Sequence, residues 1–254
     1  MEILINILVP IGCLLVGYIL GSIPTAVWIG KIFYHQDPRD YGSHNAGGTN
    51  AGRLWGKKVG FVIILIDMFK TVLPMWLCWA LLTFIPYKGQ HGLCPAANEF
   101  NNLGFNFDYV ISYPVYWIST IGCMIGHCWP IFAKFKGGKG ASVFMGLTVC
   151  SNWLSGFIPG LMYFGILKWK KYVSLTAILT CVNCTILSWT WAILVMCKVI
   201  PADLQWISAY GPTLAPTWFY ASVITISSIF VIARHHENIQ RLIAGNERKI
   251  TWMK

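Results

Sequence analysis

Five stretches of this chain, residues 3–33, 58–85, 110–131, 173–199 and 214–233, are mainly apolar and long enough to cross a bilayer. A spanning helix needs about 20 such residues. In lipid the backbone N–H and C=O groups must pair within the segment, so an apolar stretch of this length reads as a helix. The chain has 254 residues, 56% of them hydrophobic and 11% charged, whereas roughly a quarter are charged in an ordinary soluble domain. The expected fold class is an all-α polytopic membrane protein, one bundle over residues 1–254. A net charge of +10 by itself would suit nucleic acid. The basic residues, however, sit in short loops beside apolar stretches, which is how membrane topology is encoded. No nucleic-acid partner is expected.

Segment 141–167 decides the helix count. Its middle, Ser151 to Gly160, contains Pro159 and polar residues that read as a break, because proline and its preceding residue disfavour a continuing helix. A single crossing would put Lys168, Lys170 and Lys171 outside. Two short helices that go in and return put them inside with Lys31, Arg39, Arg53, Lys57 and Lys58, with Lys134, Lys136 and Lys139, and with Arg234, Arg241, Arg248, Lys249 and Lys254. The positive-inside rule prefers the second arrangement. The expectation is a seven-helix bundle with short helices 4 and 5, N-terminus outside and C-terminus cytoplasmic. Ile11-Gly12-Cys13 resembles a lipoprotein cleavage box, but no basic leader precedes it, so residues 3–33 read as a retained span.

Two loops then share the inner face. Loop one, residues 42–50, offers Ser43, Asn45, Thr49 and Asn50 as hydrogen-bonding groups, with Gly47 and Gly48 for tight turning and Arg53 beyond. Arginine forks two phosphate oxygens, and a helix beginning near residue 50 would add positive potential from its amides. Loop two interleaves Lys134, Lys136 and Lys139 with Gly137, Gly138 and Gly140. Glycines let backbone N–H groups turn toward an anion, and lysines add point charges. It is no Walker A loop, since Ala133 and Gly140 stand where glycine and Ser or Thr are required.

Other candidates carry less information alone. Ser174 opens a helix and reads as its N-cap. His235 and Asn238 are three apart and share a helix face. Asp67 and Lys70 read as a pair inside a span. His35 and Asp40 fit a His-x-x-x-x-Asp acyltransferase motif, but that class's other blocks are absent, so the match reads as chance. Of nine cysteines, Cys181 and Cys184 form a CxxC in apolar surroundings, which reads as helix packing. No metal site and no cofactor are expected. A transporter for phosphate-bearing solutes is the alternative class, but transporters place substrate near the midplane and often show repeats. No repeat is visible here, and the polar blocks cluster at one face. A scaffold protein leaves the paired loops without a purpose.

Together these blocks resemble the bacterial acyl-phosphate:glycerol-3-phosphate acyltransferases, the PlsY family. The resemblance runs through Gly21 to Pro24, Gly42 to Arg53, Asp67 and Lys70, Gly126 to Gly140, Lys171 to Leu175 and Arg234 to Ile239. It implies a seven-helix bundle in the bacterial inner membrane with its active site at the cytoplasmic face. It implies acyl transfer from acyl phosphate to the 1-hydroxyl of glycerol 3-phosphate, giving lysophosphatidic acid and phosphate, with membrane lipid around the chain. Ser43, Arg53, Lys139, Ser174, His235 and Asn238 become the catalytic candidates. Asn45, Gly47, Gly48, Thr49, Asn50, Lys134, Lys136, Gly137, Gly138 and Gly140 become the phosphate-binding ones. The proton acceptor is His235 or a substrate phosphate. The family usually has glycine at the position of His44, alanine at Gly48 and phenylalanine at Trp129. If position 44 takes a positive φ, histidine carries a steric penalty there.

Overall fold

The computed structural model describes residues 1–89, 92–95, 99, 105–151, 153–200 and 218–250. The first apolar stretch forms α1 (Glu2–Gly21) and α2 (Thr25–Phe33), separated at Ser22–Pro24. Pro24 supplies no N–H and pushes Ile23 out of helical conformation, so the expected continuous 3–33 span is broken. Loop one leads into α3 (Gly48–Trp55), which ends at Gly56 with φ +96° before α4 (Lys57–Phe84). Thr49 and Asn50 therefore open a separate short helix instead of the second span.

The third stretch is shorter than expected as helix: α5 covers Ile118–Cys128, with single 3-10 turns on either side. It lies against α1 through small residues. A Cβ on Gly17 would fall 1.8 Å from the Ser119 carbonyl oxygen, and one on Gly122 would fall 2.1 Å from that of Leu14. Lipid offers no hydrophobic drive between helices, so close backbone contact of this kind supplies the packing.

Residues 141–170 divide into α6 (Ala141–Ser151) and α7 (Trp153–Lys170). These two pack on one another, with a Cβ on Gly156 reaching within 2.9 Å of Val149 Cα. The break expected within residues 151–160 falls at the start of that stretch, where α6 ends at Ser151 and α7 begins at Trp153, and Pro159 lies inside α7. Pro10 and Pro74 are likewise inside helices. Membrane helices tolerate proline where neighbouring groups re-satisfy the freed carbonyl.

The chain continues through α8 (Val173–Met196), α9 (Trp218–Arg234) and α10 (His236–Ile243), the last two bent by 59° at His235. Residues 201–213 and much of 86–109, the two segments expected to form outer loops, lie outside the described residues. Among the described residues, four helical stretches are long and apolar enough to cross a membrane, and five if the bent pair counts as one. The core is Trp117, Tyr116, Met124, Met75 and Ile224 with their neighbours. Outside it, Ile7, Leu15, Phe61, Phe69, Ile186 and Ile229 are each more than half exposed, an apolar surface far larger than a water-facing protein tolerates.

The polar segments collect at one end. Arg39 reaches the carbonyls of Ala133 and Lys136, Arg234 reaches that of Gly138, Lys139 reaches Asn238, and Ile250 N–H reaches that of Lys171. The ion pair between Glu2 and Lys88 joins the start of α1 to the loop after α4.

Candidate active site

A cavity of about 420 Å³ opens where these segments meet. Its wall takes residues from loop one, α3, loop two, the starts of α6 and α8, the α9–α10 bend and the C-terminal tail.

Loop one is shaped by Asn50. This buried amide accepts from Ser43 N–H at 2.9 Å and donates to the carbonyls of Pro38, Tyr41 and Asn45 at 2.7, 3.1 and 3.2 Å. Both ends of the amide are engaged, so Asn50 pins the loop. It is not the free phosphate donor expected from sequence. Ser43, Asn45 and Thr49 line the cavity, and Asn45 Oδ1 is buried with no donor among the described residues.

The expected turn glycines serve other ends. Gly47 is extended at φ −114°. Gly48 permits close packing, since a Cβ there would fall 2.6 Å from Ile64 Cγ1. The left-handed positions are Gly42 at φ +63° and His44 at φ +54°. His44 also donates Nδ1–H to the Arg39 carbonyl at 3.0 Å.

Arg53 reaches the cavity from the last turn of α3. Burial lowers its guanidinium, as does the neighbouring Arg248, against the opposing pull of Glu247.

Loop two divides in function. Lys139 and Gly140 line the cavity, whereas Lys134 and Lys136 are exposed and stand apart from it. These two lysines are thus not assembled with the phosphate-binding candidates. The glycines accommodate α5: a Cβ on Gly137 would meet the His127 carbonyl oxygen at 2.1 Å, and one on Gly138 the His127 ring at 2.1 Å. Gly138 N–H donates to that carbonyl at 3.0 Å, so it is not displayed to an anion. Gly137 and Gly138 line a smaller space beneath the loop, with Thr25, Asp67, Lys70 and His127. There Asp67 pairs with Lys70 at 3.1 Å and accepts from Thr25 and Ser142 at 2.9 and 3.2 Å. His35 and Asp40 touch neither space.

Across the cavity, Tyr172 is the N-cap of α8, and Ser174 makes no cap bond. The Ser174 hydroxyl instead donates to Glu247 Oε1 at 2.8 Å. His235 and Asn238 do not share one continuous helix, because His235 is the N-cap at which α10 departs from α9. His235 donates Nδ1–H to the Val231 carbonyl at 2.7 Å. A carbonyl only accepts, so the tautomer is fixed and Nε2 carries no proton. Burial pulls this ring down to about 4, which keeps it neutral.

Asn238 accepts from Lys139 and donates to Glu247 at 2.6 Å. Glu247 also accepts from Arg241 Nε at 2.8 Å. Burial alone would raise the Glu247 carboxyl, but hydrogen bonds from Arg241, Asn238 and Ser174 outweigh it and hold it below the ordinary carboxylate range.

Sequence reasoning passed over Glu247, Arg241, Arg248, His127 and Ser142 as lining residues. One signal existed: Glu247 is the only acid in 241–254, a strongly basic stretch. The donor set as a whole is cationic and amide-rich, suited to compact anions.

The comparisons agree with that chemistry. The model of a family described as glycerol-3-phosphate acyltransferase matches residues 11–245. A glycerol-3-phosphate acyltransferase of Enterococcus faecalis (strain ATCC 700802 / V583) is 31% identical, covering 94% of this chain and 91% of its own. One from Mycoplasmopsis synoviae (strain 53) is 29% identical over 100% of both chains. Among solved structures, PlsY, an integral membrane glycerol 3-phosphate acyltransferase, matches in its glycerol 3-phosphate form with TM-score 0.66 and 26% identity, over 95% of this chain and 96% of that one. Its lysophosphatidic acid form matches with TM-score 0.64 and 25% identity, over 95% of each. An all-helical, lipid-facing fold with a cationic cavity at one end, matched over almost its whole length, belongs to the glycerol-3-phosphate acyltransferase family.

Proposed function

We propose that this chain transfers an acyl group from acyl phosphate to the sn-1 hydroxyl of glycerol 3-phosphate. The observation that carries the reading is the convergence of Arg53, Lys139, Ser43 and the His235 ring on one cavity. Each substrate phosphate carries roughly one and a half to two negative charges, as phosphate monoesters do. Arg53 and Lys139 offset that load. Ser43, Asn45 and Thr49 orient glycerol 3-phosphate by hydrogen bonds, and Asn45 Oδ1 is an acceptor for a glycerol hydroxyl. Ser174 and Asn238 position the opposite wall.

The 1-hydroxyl oxygen attacks the acyl carbonyl carbon. A carbon–oxygen ester bond forms and the carbon–oxygen bond to phosphate breaks. His235 Nε2 or a substrate phosphate oxygen takes the hydroxyl proton, and inorganic phosphate leaves with its bonding pair. Donors around the cavity stabilise charge on the carbonyl oxygen and the leaving group. Acyl phosphate is already activated, so no enzyme-bound acyl intermediate is required.

The same reading makes residues 1–254 one domain of seven membrane helices, with α6 and α7 as the short pair. It places the N-terminus outside and the cavity at the cytoplasmic face of a bacterial inner membrane. Support comes from the inside excess of Lys and Arg that this arrangement gives.

Purified protein given acyl phosphate and glycerol 3-phosphate should release lysophosphatidic acid and phosphate in equal amounts. Turnover with acyl-CoA and none with acyl phosphate would defeat the donor assignment. Solute uptake into proteoliposomes without acyl transfer would favour a transporter. Cysteine labelling of position 170 from outside, on a cysteine-free background, would defeat the topology.

A further inference from the structure

We propose that Arg39 is a positioning residue, which with Asp37 clasps loop two to loop one and thereby sets Lys139 against the cavity. The proposal rests on the acyl-transfer reading of this site.

All three guanidinium nitrogens of Arg39 donate hydrogen bonds, and the residue stands away from the cavity wall. Its Nε and Nη2 fork the Asp37 carboxylate at 2.9 and 2.7 Å. Its Nη1 crosses to loop two and donates to the Ala133 and Lys136 carbonyls at 2.9 and 3.2 Å. Those carbonyls flank Lys134 and Phe135, two consecutive non-glycine residues at φ +55° and +58°. Left-handed backbone is sterically strained for such residues. A turn of this kind persists only where its surroundings impose it.

Asp37 is itself held, since its carboxylate also accepts Arg39 N–H at 3.0 Å. Pro38 between them is buried and gives its carbonyl to Asn50, the pin of loop one. A continuous path thus runs from Asn50 through Pro38 and Arg39 to Ala133 and Lys136, and three residues on to Lys139. Asp37 keeps its charge, because the Arg39 fork outweighs the effect of burial and holds the carboxyl below its ordinary range. Lysine cannot take this place: one ammonium does not fork a carboxylate and reach two carbonyls together.

The test uses full-length enzyme in detergent or lipid, with acyl phosphate and glycerol 3-phosphate as substrates. Arg39→Ala should lower kcat at least tenfold while the melting temperature holds within a few degrees. Arg39→Lys should recover little of that loss. In a Lys139→Ala background the added Arg39→Ala change should cost less than about threefold, because the residue it positions is gone. Amide exchange should quicken in 133–142 and not elsewhere.

Full activity in Arg39→Lys, additive losses in the double variant, or uniformly faster exchange would each overturn the clasp. A raised KM for one phosphate substrate that persists without Lys139 would make Arg39 a direct ligand instead. If wild-type enzyme makes no lysophosphatidic acid, the acyl-transfer reading fails. The exchange pattern still judges the clasp.

Discussion

Lys139 donates a hydrogen bond to Asn238 Oδ1, joining loop two to α10 across 99 residues of sequence. The same amide donates to Glu247, so one chain of contacts runs from the lysine through Asn238 to the C-terminal tail. A cation held this way stands at a fixed place before substrate arrives, which is what preorganised charge stabilisation requires.

That placement makes Lys139 and Arg53 sensitive to geometry as well as charge. Losing a charge-assisted phosphate contact costs ~2–3 kcal/mol, roughly 30- to 150-fold in rate if the contact is made in the transition state. Lys139→Ala and Arg53→Ala should each show losses of this size in steady-state kinetics, with the protein still inserted and folded. Arg53→Lys should rescue only in part, because an ammonium does not reproduce the fork. Wild-type turnover in Arg53→Lys and Lys139→Arg would reduce both residues to topological anchors.

Asn50 should behave differently. Its amide satisfies one N–H and three carbonyls of loop one. Asn50→Ala leaves these groups without their partner, at about 2–4 kcal/mol in total if each bond contributes near 1 kcal/mol. A lower melting temperature should accompany the loss of activity. Asn50→Asp should fare no better, since a carboxylate cannot donate to the three carbonyls. An unchanged melting temperature with a raised KM would mean that the amide contacts substrate instead.

The tail carries a pH dependence. The Glu247 carboxyl is held below the ordinary carboxylate range, so the folded state binds its proton less readily than the unfolded chain does. Its stabilising contribution is complete above the unfolded value and is lost as pH falls through the folded one. Thermal melting of wild type should therefore decline below about pH 4.5 more steeply than that of Glu247→Gln. Parallel melting curves for the two proteins across that window would show that the carboxylate contributes nothing.

The lipid-facing helices were legible because apolar length is a local property of sequence. The two loops were legible for a similar reason, with Gly, Asn, Ser and Lys crowded into a few positions. What escaped depends on partners far away. Ser174 meets Glu247 across 73 residues, and no local pattern announces that contact. Local signals alone make Ser174 a helix cap and Gly47 and Gly48 turn residues, and they place a helix break in 151–160 without fixing its residue. Packing decided the rest: the Ser174 hydroxyl turns to the tail, Gly48 admits Ile64, and the break comes at the start of its stretch, so that α7 runs through Pro159. Lys134 and Lys136 share loop two with Lys139, yet the left-handed turn at Lys134 and Phe135 leaves both exposed.

His44 offers the sharpest separation of backbone need from side-chain chemistry. Its φ of +54° is one that glycine adopts freely and histidine does not. The histidine gains one hydrogen bond in return, from Nδ1 to the Arg39 carbonyl at 3.0 Å. The strain and the bond are each about 1 kcal/mol and opposite in sign. His44→Gly should therefore leave the melting temperature nearly unchanged and turnover within about threefold. His44→Val keeps the strain, adds a branched Cβ that left-handed backbone tolerates poorly, and removes the bond. It should lose stability by about 2 kcal/mol and carry activity down with it as loop one loosens. Equal stability in the Gly and Val variants would mean that the position is not held left-handed. A loss beyond tenfold in His44→Gly, with stability intact, would place the imidazole among the groups that act on substrate.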